Sequence, residues 1–267
     1  GTFTKSGGTG ASSIGAVFNN TNTVNVNAGT LNLTGGTSGG GDTGAFNVTL
    51  GNTLQFGNGT HAVTGVIAGA GNLLLSAGTV NMSGAYTLTG AITDSGGTGN
   101  LTPTTSMSPA SITVSAGALT LTPASGSLAP TFVTVSSGTA TLNAPTSTPT
   151  LTLSGGTLNG TGVVTATDMT WSGGTVAGGG AFTVSNTLNL NGTTKFLDGR
   201  VFTNNAVTTW DGTGLLRLQN TASFNNNVSL TVSGNFASDA GTGVNTFNNT
   251  GTFTKSGGTG ASSIGAV

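Results

Sequence analysis

Cysteine and glutamate are absent from this chain of 267 residues, and charged residues of every kind are scarce. The lack of cysteine excludes a disulfide framework. Charged residues make up 4% of the chain, against about 25% in an average globular domain. The formal net charge of −1 leaves no basic patch for nucleic acid or anionic lipid, so we expect no nucleic-acid partner. The longest apolar runs are only a few residues, so we expect no membrane insertion either.

The shortage of acids and histidine also argues against chemistry. The chain has six aspartates and one histidine, His61, which we expect in a solvated loop. Glycoside cleavage needs two acids at one site, and calcium sites need clustered carboxylates. Asp198 and Asp211 come nearest to such a pair, and a G-x-S-x-G match at residues 36–40 is expected by chance in a chain with 48 glycines. We therefore predict no enzyme activity, no catalytic residue, no metal and no cofactor.

What the sequence does contain is short alternating apolar strings. Period-two alternation is typical of strands with one buried face, and no segment carries a helical stripe. The strings include Val24 and Val26, Leu31 and Leu33, Ile112 and Val114, Leu119 and Leu121, Leu151 and Leu153, and Leu188 and Leu190. The pattern predicts an all-β fold and argues against the disorder that low charge and many small residues could suggest.

A long repeat frames the chain. Residues 1–17, GTFTKSGGTGASSIGAV, are identical to residues 251–267, an offset of 250 residues. We interpret residues 1–250 as one unit of a tandem array and residues 251–267 as the start of the next identical unit. Copying of this kind suits a fibre or a surface array rather than a single active site.

A shorter period lies inside the long one. A strand, a break at glycine and a second strand recur about every 21 residues, which gives about 12 rungs in 250 residues. A rung of this length is typical of a parallel β-solenoid of the right-handed β-helix class, in which glycine supplies the corner between strands. At about 4.8 Å per rung, 12 rungs predict a rod of roughly 58 Å per unit. The corner glycines are placed at Gly29, Gly59, Gly78, Gly97, Gly117, Gly138, Gly156, Gly174, Gly192, Gly212, Gly234 and Gly258.

Phenylalanine and asparagine follow the same period. Equal positions on successive rungs lie above one another, so recurring Phe predicts an interior aromatic stack and recurring Asn predicts a hydrogen-bonded ladder at a turn. The predicted members of these two ladders are Phe18, Phe182, Phe202, Phe224 and Phe247, and Asn19, Asn225 and Asn248.

The charged residues suggest a third ladder. Asp198, Arg217 and Asp239 are 19 and 22 residues apart, so we predict that they stack on one face as a salt-bridge ladder, with a sugar or ion site as the less favoured alternative. Trp171 and Trp210 are close to two rungs apart. We expect them to pack in the core or at turns, and the alternative is a platform on which a sugar stacks. T-x-T pairs occur only in scraps, which argues against ice binding.

The phrases TVNVNAGTLNLTGG at 23–36, LTLSGGTLNGTG at 151–162 and FNNTGTFTKSGGTG at 247–260 resemble giant repetitive bacterial surface proteins. These are the filamentous-haemagglutinin-like proteins and the autotransporter passengers. The resemblance implies a secreted right-handed β-helix at the cell surface. We expect a structural segment of an extracellular filament, sheath or fibre whose main partner is itself, end to end and by lateral association. The alternative is an adhesin stalk that binds glycans or neighbouring cells.

Overall fold

The computed structural model of the chain describes residues 1–265, all of them in strands, turns and loops with no helix. The last two residues of the predicted second unit, 251–267, lie outside the described residues. The structure divides into two compact units. The first comprises Gly1–Phe132 and Gly138–Ala144, and the second comprises Val133–Ser137 and the chain from Pro145 onward.

The strands are short, and most have four residues because each forms one side of a rung. The first fifteen are β1 (Thr2–Lys5), β2 (Ala11–Ile14), β3 (Thr23–Val26), β4 (Thr30–Leu33), β5 (Ala45–Val48), β6 (Thr53–Phe56), β7 (Thr60–Val63), β8 (Ile67–Gly69), β9 (Asn72–Leu75), β10 (Thr79–Met82), β11 (Tyr86–Leu88), β12 (Ala91–Leu101), β13 (Ser111–Leu121), β14 (Phe132–Val135) and β15 (Thr139–Leu142). The other fifteen are β16 (Thr146–Leu153), β17 (Thr157–Asn159), β18 (Val164–Trp171), β19 (Gly174–Ala177), β20 (Phe182–Leu190), β21 (Lys195–Asp198), β22 (Val201–Asn204), β23 (Val207–Trp210), β24 (Leu215–Gln219), β25 (Ser223–Asn226), β26 (Ser229–Val232), β27 (Ala237–Ala240), β28 (Thr246–Asn249), β29 (Thr252–Lys255) and β30 (Ser263–Ile264).

The first unit stacks its strands in parallel, each on the strand one rung later. The sheet β1-β3-β5-β8-β11 pairs Thr2 with Thr23 and Thr23 with Ala45, so a rung there takes 21 or 22 residues. The alternating pattern points every second side chain inward, as expected for strands with one buried face. One interior column is aliphatic along its whole length and consists of Leu31, Leu54, Leu73, Ile92 and Ile112.

The second unit is built in the same way. Its strands pair in parallel as β18-β20-β23-β26-β29 and as β19-β21-β24-β27-β30. Trp171 and Trp210 lie in one interior column, separated by Leu190, and both are buried. The prediction of an all-β parallel β-solenoid is confirmed, with about 20 residues per rung. The right-handed coiling expected for the class stays a prediction.

Corner glycines explain why the rungs close at a constant length. A Cβ at Gly78 would overlap the carbonyl oxygen of Gly59, and one at Gly117 would overlap that of Gly97, so only glycine fits where corners of successive rungs touch. Ten of the twelve predicted corner glycines have a positive φ, between 60° and 84°, which L-residues with a side chain rarely adopt. Gly97 and Gly234 do not.

Candidate functional site

An aromatic column runs through the interior of the second unit. Strand pairing aligns Phe182 with Phe202, Phe202 with Phe224, and Phe224 with Phe247. Their ring centroids are 4.9, 5.2 and 5.1 Å apart, and the rings are within 22° of parallel. Trp171 adds a stacked contact to Phe202 at 5.8 Å. The spacing of the column equals the distance between neighbouring strands, so the parallel register itself brings the rings together.

Phe18 lies elsewhere, in the first unit and outside any strand. Its ring meets Phe3 edge to face at 5.9 Å and 74°. Asn19 beside it exchanges two hydrogen bonds with Ser38: its amide donates to the Ser38 hydroxyl at 3.3 Å, and its Oδ1 accepts from the Ser38 amide at 2.9 Å. Thus neither residue joins an Asn or Phe column, because the segment between Val17 and Asn20 does not pair as a strand.

Asparagines form columns on both sides of the second unit's sheet. On the outside, Asn248 donates to the Oδ1 of Asn225 at 2.8 Å, as neighbours one rung apart. A second column is buried and was not predicted: Asn204 donates to Asn226 at 2.7 Å, and Asn226 donates to Asn249 at 2.6 Å. The signal was available, since in the phrase Phe-x-Asn the asparagine shares the inward face of the phenylalanine. Each buried amide keeps a donor and an acceptor partner, which removes the cost of burying it.

The predicted Asp-Arg-Asp ladder is wrong in its first member. Arg217 pairs with Asp239 and grips it with two nitrogens, Nε at 2.9 Å and Nη2 at 2.6 Å. Asp198 instead faces Gln219 and accepts from its amide at 3.0 Å, because this rung takes 21 residues rather than 19. The Arg217–Asp239 pair is about 40% and 35% exposed. The mutual attraction raises the pKa of Arg217 and lowers the pKa of Asp239.

Lys195 and Arg200, which we expected to support that ladder, are buried inside the second unit. The Nζ of Lys195 donates to the carbonyl oxygens of Asn191, Thr193 and Thr213 at 2.8 to 3.3 Å. The guanidinium of Arg200 donates to the carbonyls of Ala177 and Gly162, both at 2.8 Å, and lies over the ring of Phe182. Burial lowers the pKa of Lys195 to about 8 and that of Arg200 to about 10.

The first unit buries acids and the single histidine. His61 lies on β7 and is fully buried against Phe56, so the expectation of a solvated loop residue is wrong; its strand turns residues 61 and 63 inward. Burial lowers the pKa of His61. Asp42 accepts a 2.6 Å hydrogen bond from the Asn20 amide, and Asp94 accepts one from Gly97. Burial raises the pKa of Asp42 to about 6 and raises that of Asp94.

The outer face of the second unit carries a nearly uniform hydroxyl column. Strand pairing aligns six positions on successive rungs: Thr152, Thr170, Asn189, Thr209, Thr231 and Thr254. The Thr209 hydroxyl donates to the Asn189 side chain at 2.8 Å. Sequence reading missed this column because the neighbouring column is mixed, with Thr150, Asp168, Thr187, Val207, Ser229 and Thr252.

Strand edges are left open where the pairing stops. In the first unit β1 is the edge strand of its sheet and pairs only with β3. In the second unit β29 pairs with β26 and β30 with β27, and among residues 1–265 neither has a later neighbour. A row of unpaired backbone N–H and C=O groups is a template for another strand.

No helix of residues 1–265 could cross a membrane, as these residues contain none. In the same part of the chain no three side chains among His, Cys, Asp and Glu are grouped to hold a metal ion. Comparison of the chain with models of known protein families, with curated proteins and with solved structures gives no match.

Proposed function

We propose that the chain is a structural segment of a long extracellular filament, sheath or surface fibre built from tandem 250-residue β-solenoid units. The observation that carries the proposal is the repetition of residues 1–17 at 251–267 on a scaffold whose strands end in open edges. A solenoid grows by adding rungs, and each added rung covers the edge left by the one before. Tandem copies therefore extend such a scaffold without any new interface.

The surface chemistry also supports a building role. With charged residues at 4% of the chain, little electrostatic repulsion opposes lateral packing of one copy on another. The buried aromatic and amide columns give each rung interactions along the stacking direction. We propose the cell surface as the location, and the filamentous-haemagglutinin-like or autotransporter-passenger type of right-handed β-helix as the class.

Electron cryo-microscopy of the native material from its source tests the proposal. We expect filaments with a rung spacing of about 4.8 Å and a longer repeat near 58 Å. Short isolated rods that are anchored singly at a membrane would contradict it.

The hydroxyl column of the second unit favours a second candidate function, an adhesin stalk that binds glycans or neighbouring cells. Hydroxyl and amide groups at the spacing of one rung offer donors and acceptors to a polysaccharide without the cost of removing water from a charge. A glycan array with the isolated chain tests it. Binding that Thr209→Val and Thr231→Val together abolish would support this role, and an array without any bound glycan would contradict it.

A further inference from the structure

The strand sequence Thr-Phe-Thr-Lys occurs twice, as β1 and as β29, and its two copies are paired along different edges. β1 pairs with the following rung, aligning Phe3 with Val24. β29 pairs with the preceding rung, aligning Phe253 with Leu230. In a parallel sheet the preceding and following neighbours lie on opposite sides of a strand, as β26 shows by pairing with both β23 and β29. One sequence therefore displays both of its neighbours.

The two pairings agree on which side chains point inward. Val24 and Leu230 are both buried, so Phe3 and Phe253 face the interior in either pairing, and the flanking threonines face out. Lys5 and Lys255 also behave alike: the Nζ of Lys5 donates to the carbonyls of Gly7 and Gly8, and that of Lys255 donates to those of Gly257 and Gly258. Thus the same strand fits both rungs without a change of face or register.

The glycines of this segment are explained by only one of its two settings. A Cβ at Gly1 or at Gly7 would meet no atom within 4 Å. At the equivalent positions, a Cβ on Gly251 would overlap the carbonyl oxygen of Val228, and one on Gly257 would overlap that of Ser233. The glycines of residues 1–10 therefore match the surface of residues 228–235, which residues 251–260 cover in this structure.

The aromatic contacts point the same way. Phe253 packs on Phe236 at 5.3 Å and on Phe247 at 6.0 Å. Phe3 is 38% exposed and lines an open groove of about 210 Å³ together with Phe18. An aromatic surface of the kind that holds Phe253 would cover Phe3 as well.

We propose that the edge formed by β26 and β27 binds residues 1–14 of a second copy of this chain, in the register in which it holds residues 251–264. Ser229 would then pair with Thr2 of the second copy, Leu230 with Phe3 and Thr231 with Thr4, and β27 would take β2. Residues 251–264 occupy this edge within one chain and so act as a cap, and separate copies join end to end when the cap is displaced. The proposal specifies the joint of the proposed filament and rests on that function only for its biological use.

A variant of the full chain that loosens only the cap tests the joint. Phe253→Asp places a charge against Leu230 and Phe236 and leaves β1 and the β26 edge unchanged. Sedimentation velocity should show a monomer for the unaltered chain and concentration-dependent end-to-end oligomers for Phe253→Asp. Phe3→Asp combined with Phe253→Asp removes the incoming strand as well and should restore the monomer. A monomeric Phe253→Asp chain, or equal association of the double variant, would overturn the proposal.

A second pair guards against an effect of the charge itself. Thr254→Pro weakens β29 by removing a backbone N–H, and Thr4→Pro does the same to β1. Thr254→Pro alone should associate and the combination should not. Far-UV circular dichroism shows whether each variant keeps its strands, so that loss of the fold is recognised as the source of any aggregation.

The register is tested by cross-linking, which the absence of native cysteine makes clean. In the Phe253→Asp background, mixing chains that carry Thr231→Cys with chains that carry Thr4→Cys should give disulfide-linked dimers. Thr2→Cys, two residues away in the predicted pairing, should give at least several-fold fewer. Equal yields would overturn the register. A source without filaments would contradict the proposed function, whereas this assay reads the joint alone.

Discussion

The two units share a scaffold but bury ionisable groups of opposite sign. The first unit buries the carboxyl groups of Asp42 and Asp94, and the second buries the cationic groups of Lys195 and Arg200. Backbone groups at the corners serve both: amides donate to the aspartates, and carbonyls accept from the lysine and the arginine. The comparison teaches that a solenoid corner can solvate either sign of charge, because successive corners expose N–H groups at some positions and C=O groups at others.

The units also differ in how the interior is filled. The first relies on aliphatic columns such as that of Leu73, whereas the second stacks Phe202 between Phe182 and Phe224 beside a buried asparagine column. Stacked aromatic rings gain about 0.5–1.5 kcal/mol beyond the area they bury. The second unit should therefore depend more strongly on single interior positions than the first.

The largest effect is expected from Phe202→Ala, which removes three aromatic contacts at once. We expect it to destabilise the second unit by about 4 kcal/mol and Phe202→Leu to cost about 1.5 kcal/mol. Urea unfolding followed by tryptophan fluorescence reports on this unit, since Trp171 and Trp210 both lie in it. The matched change in the first unit, Leu73→Ala, should cost about 3 kcal/mol by hydrogen exchange. If the two alanine variants lose equal stability, the stacked rings contribute nothing beyond buried area.

Asp42→Asn should stabilise the first unit at neutral pH by about 3 kcal/mol. The folded-state pKa of Asp42 is raised by burial to about 6 from an ordinary 3.8. Between these values the folded chain holds a proton that the unfolded chain releases, so the carboxyl group favours folding in acid and opposes it as the pH rises through 6. Asparagine keeps the acceptor for the Asn20 amide without the charge.

Hydrogen exchange of the first unit at pH 4.5 and pH 7.5 measures this change. The difference between variant and unaltered chain isolates Asp42, because burial lowers the pKa of His61 and gives an acid response of opposite sign. A variant whose stability relative to the unaltered chain is the same at both pH values would show that Asp42 is ionised in the folded chain throughout.

Lys195 should give the second unit the reverse dependence. Burial lowers its folded-state pKa to about 8 from an ordinary 10.5, against a smaller opposing effect of Asp211. Between pH 8 and pH 10 the unfolded chain holds the proton that the folded chain has lost, so the stability of the second unit rises by about 2 kcal/mol. Tryptophan-monitored urea unfolding across this range measures the rise. Lys195→Gln should abolish it, and a rise of equal size in that variant would assign it to another group.

The sequence predicted what repeats along the chain. Spacings of 20, 22 and 23 residues between Phe182, Phe202, Phe224 and Phe247 equal the observed pairing steps, because register in a parallel solenoid is itself a sequence offset. Ten of twelve corner glycines were found for the same reason: a positive φ and a crowded Cβ position leave only one residue type. Features that a single rung decides on its own were not predicted.

His61 shows the limit. Its burial depends on whether residues 60–63 form a strand that turns odd positions inward, and a polar residue in a glycine-rich stretch does not announce this. Lys195 and Arg200 were misplaced because their partners are backbone carbonyls, which no side-chain pattern reveals. Asp198 failed through register, since rung length varies by two or three residues and an offset of 19 does not distinguish pairing with Arg217 from pairing with Gln219.

The smallest effect sharpens that last point. Arg217 and Asp239 are partly exposed, so their ion pair should couple by only about 0.5 kcal/mol in a double-mutant cycle of Arg217→Ala and Asp239→Ala. The same cycle with Asp198→Ala should show no coupling to Arg217, because Asp198 faces Gln219 one strand position pair away. Added salt should weaken the first coupling, as the pair is screened by solvent. Equal coupling of Arg217 to both aspartates would place all three in one column and contradict the 21-residue step between β21 and β24.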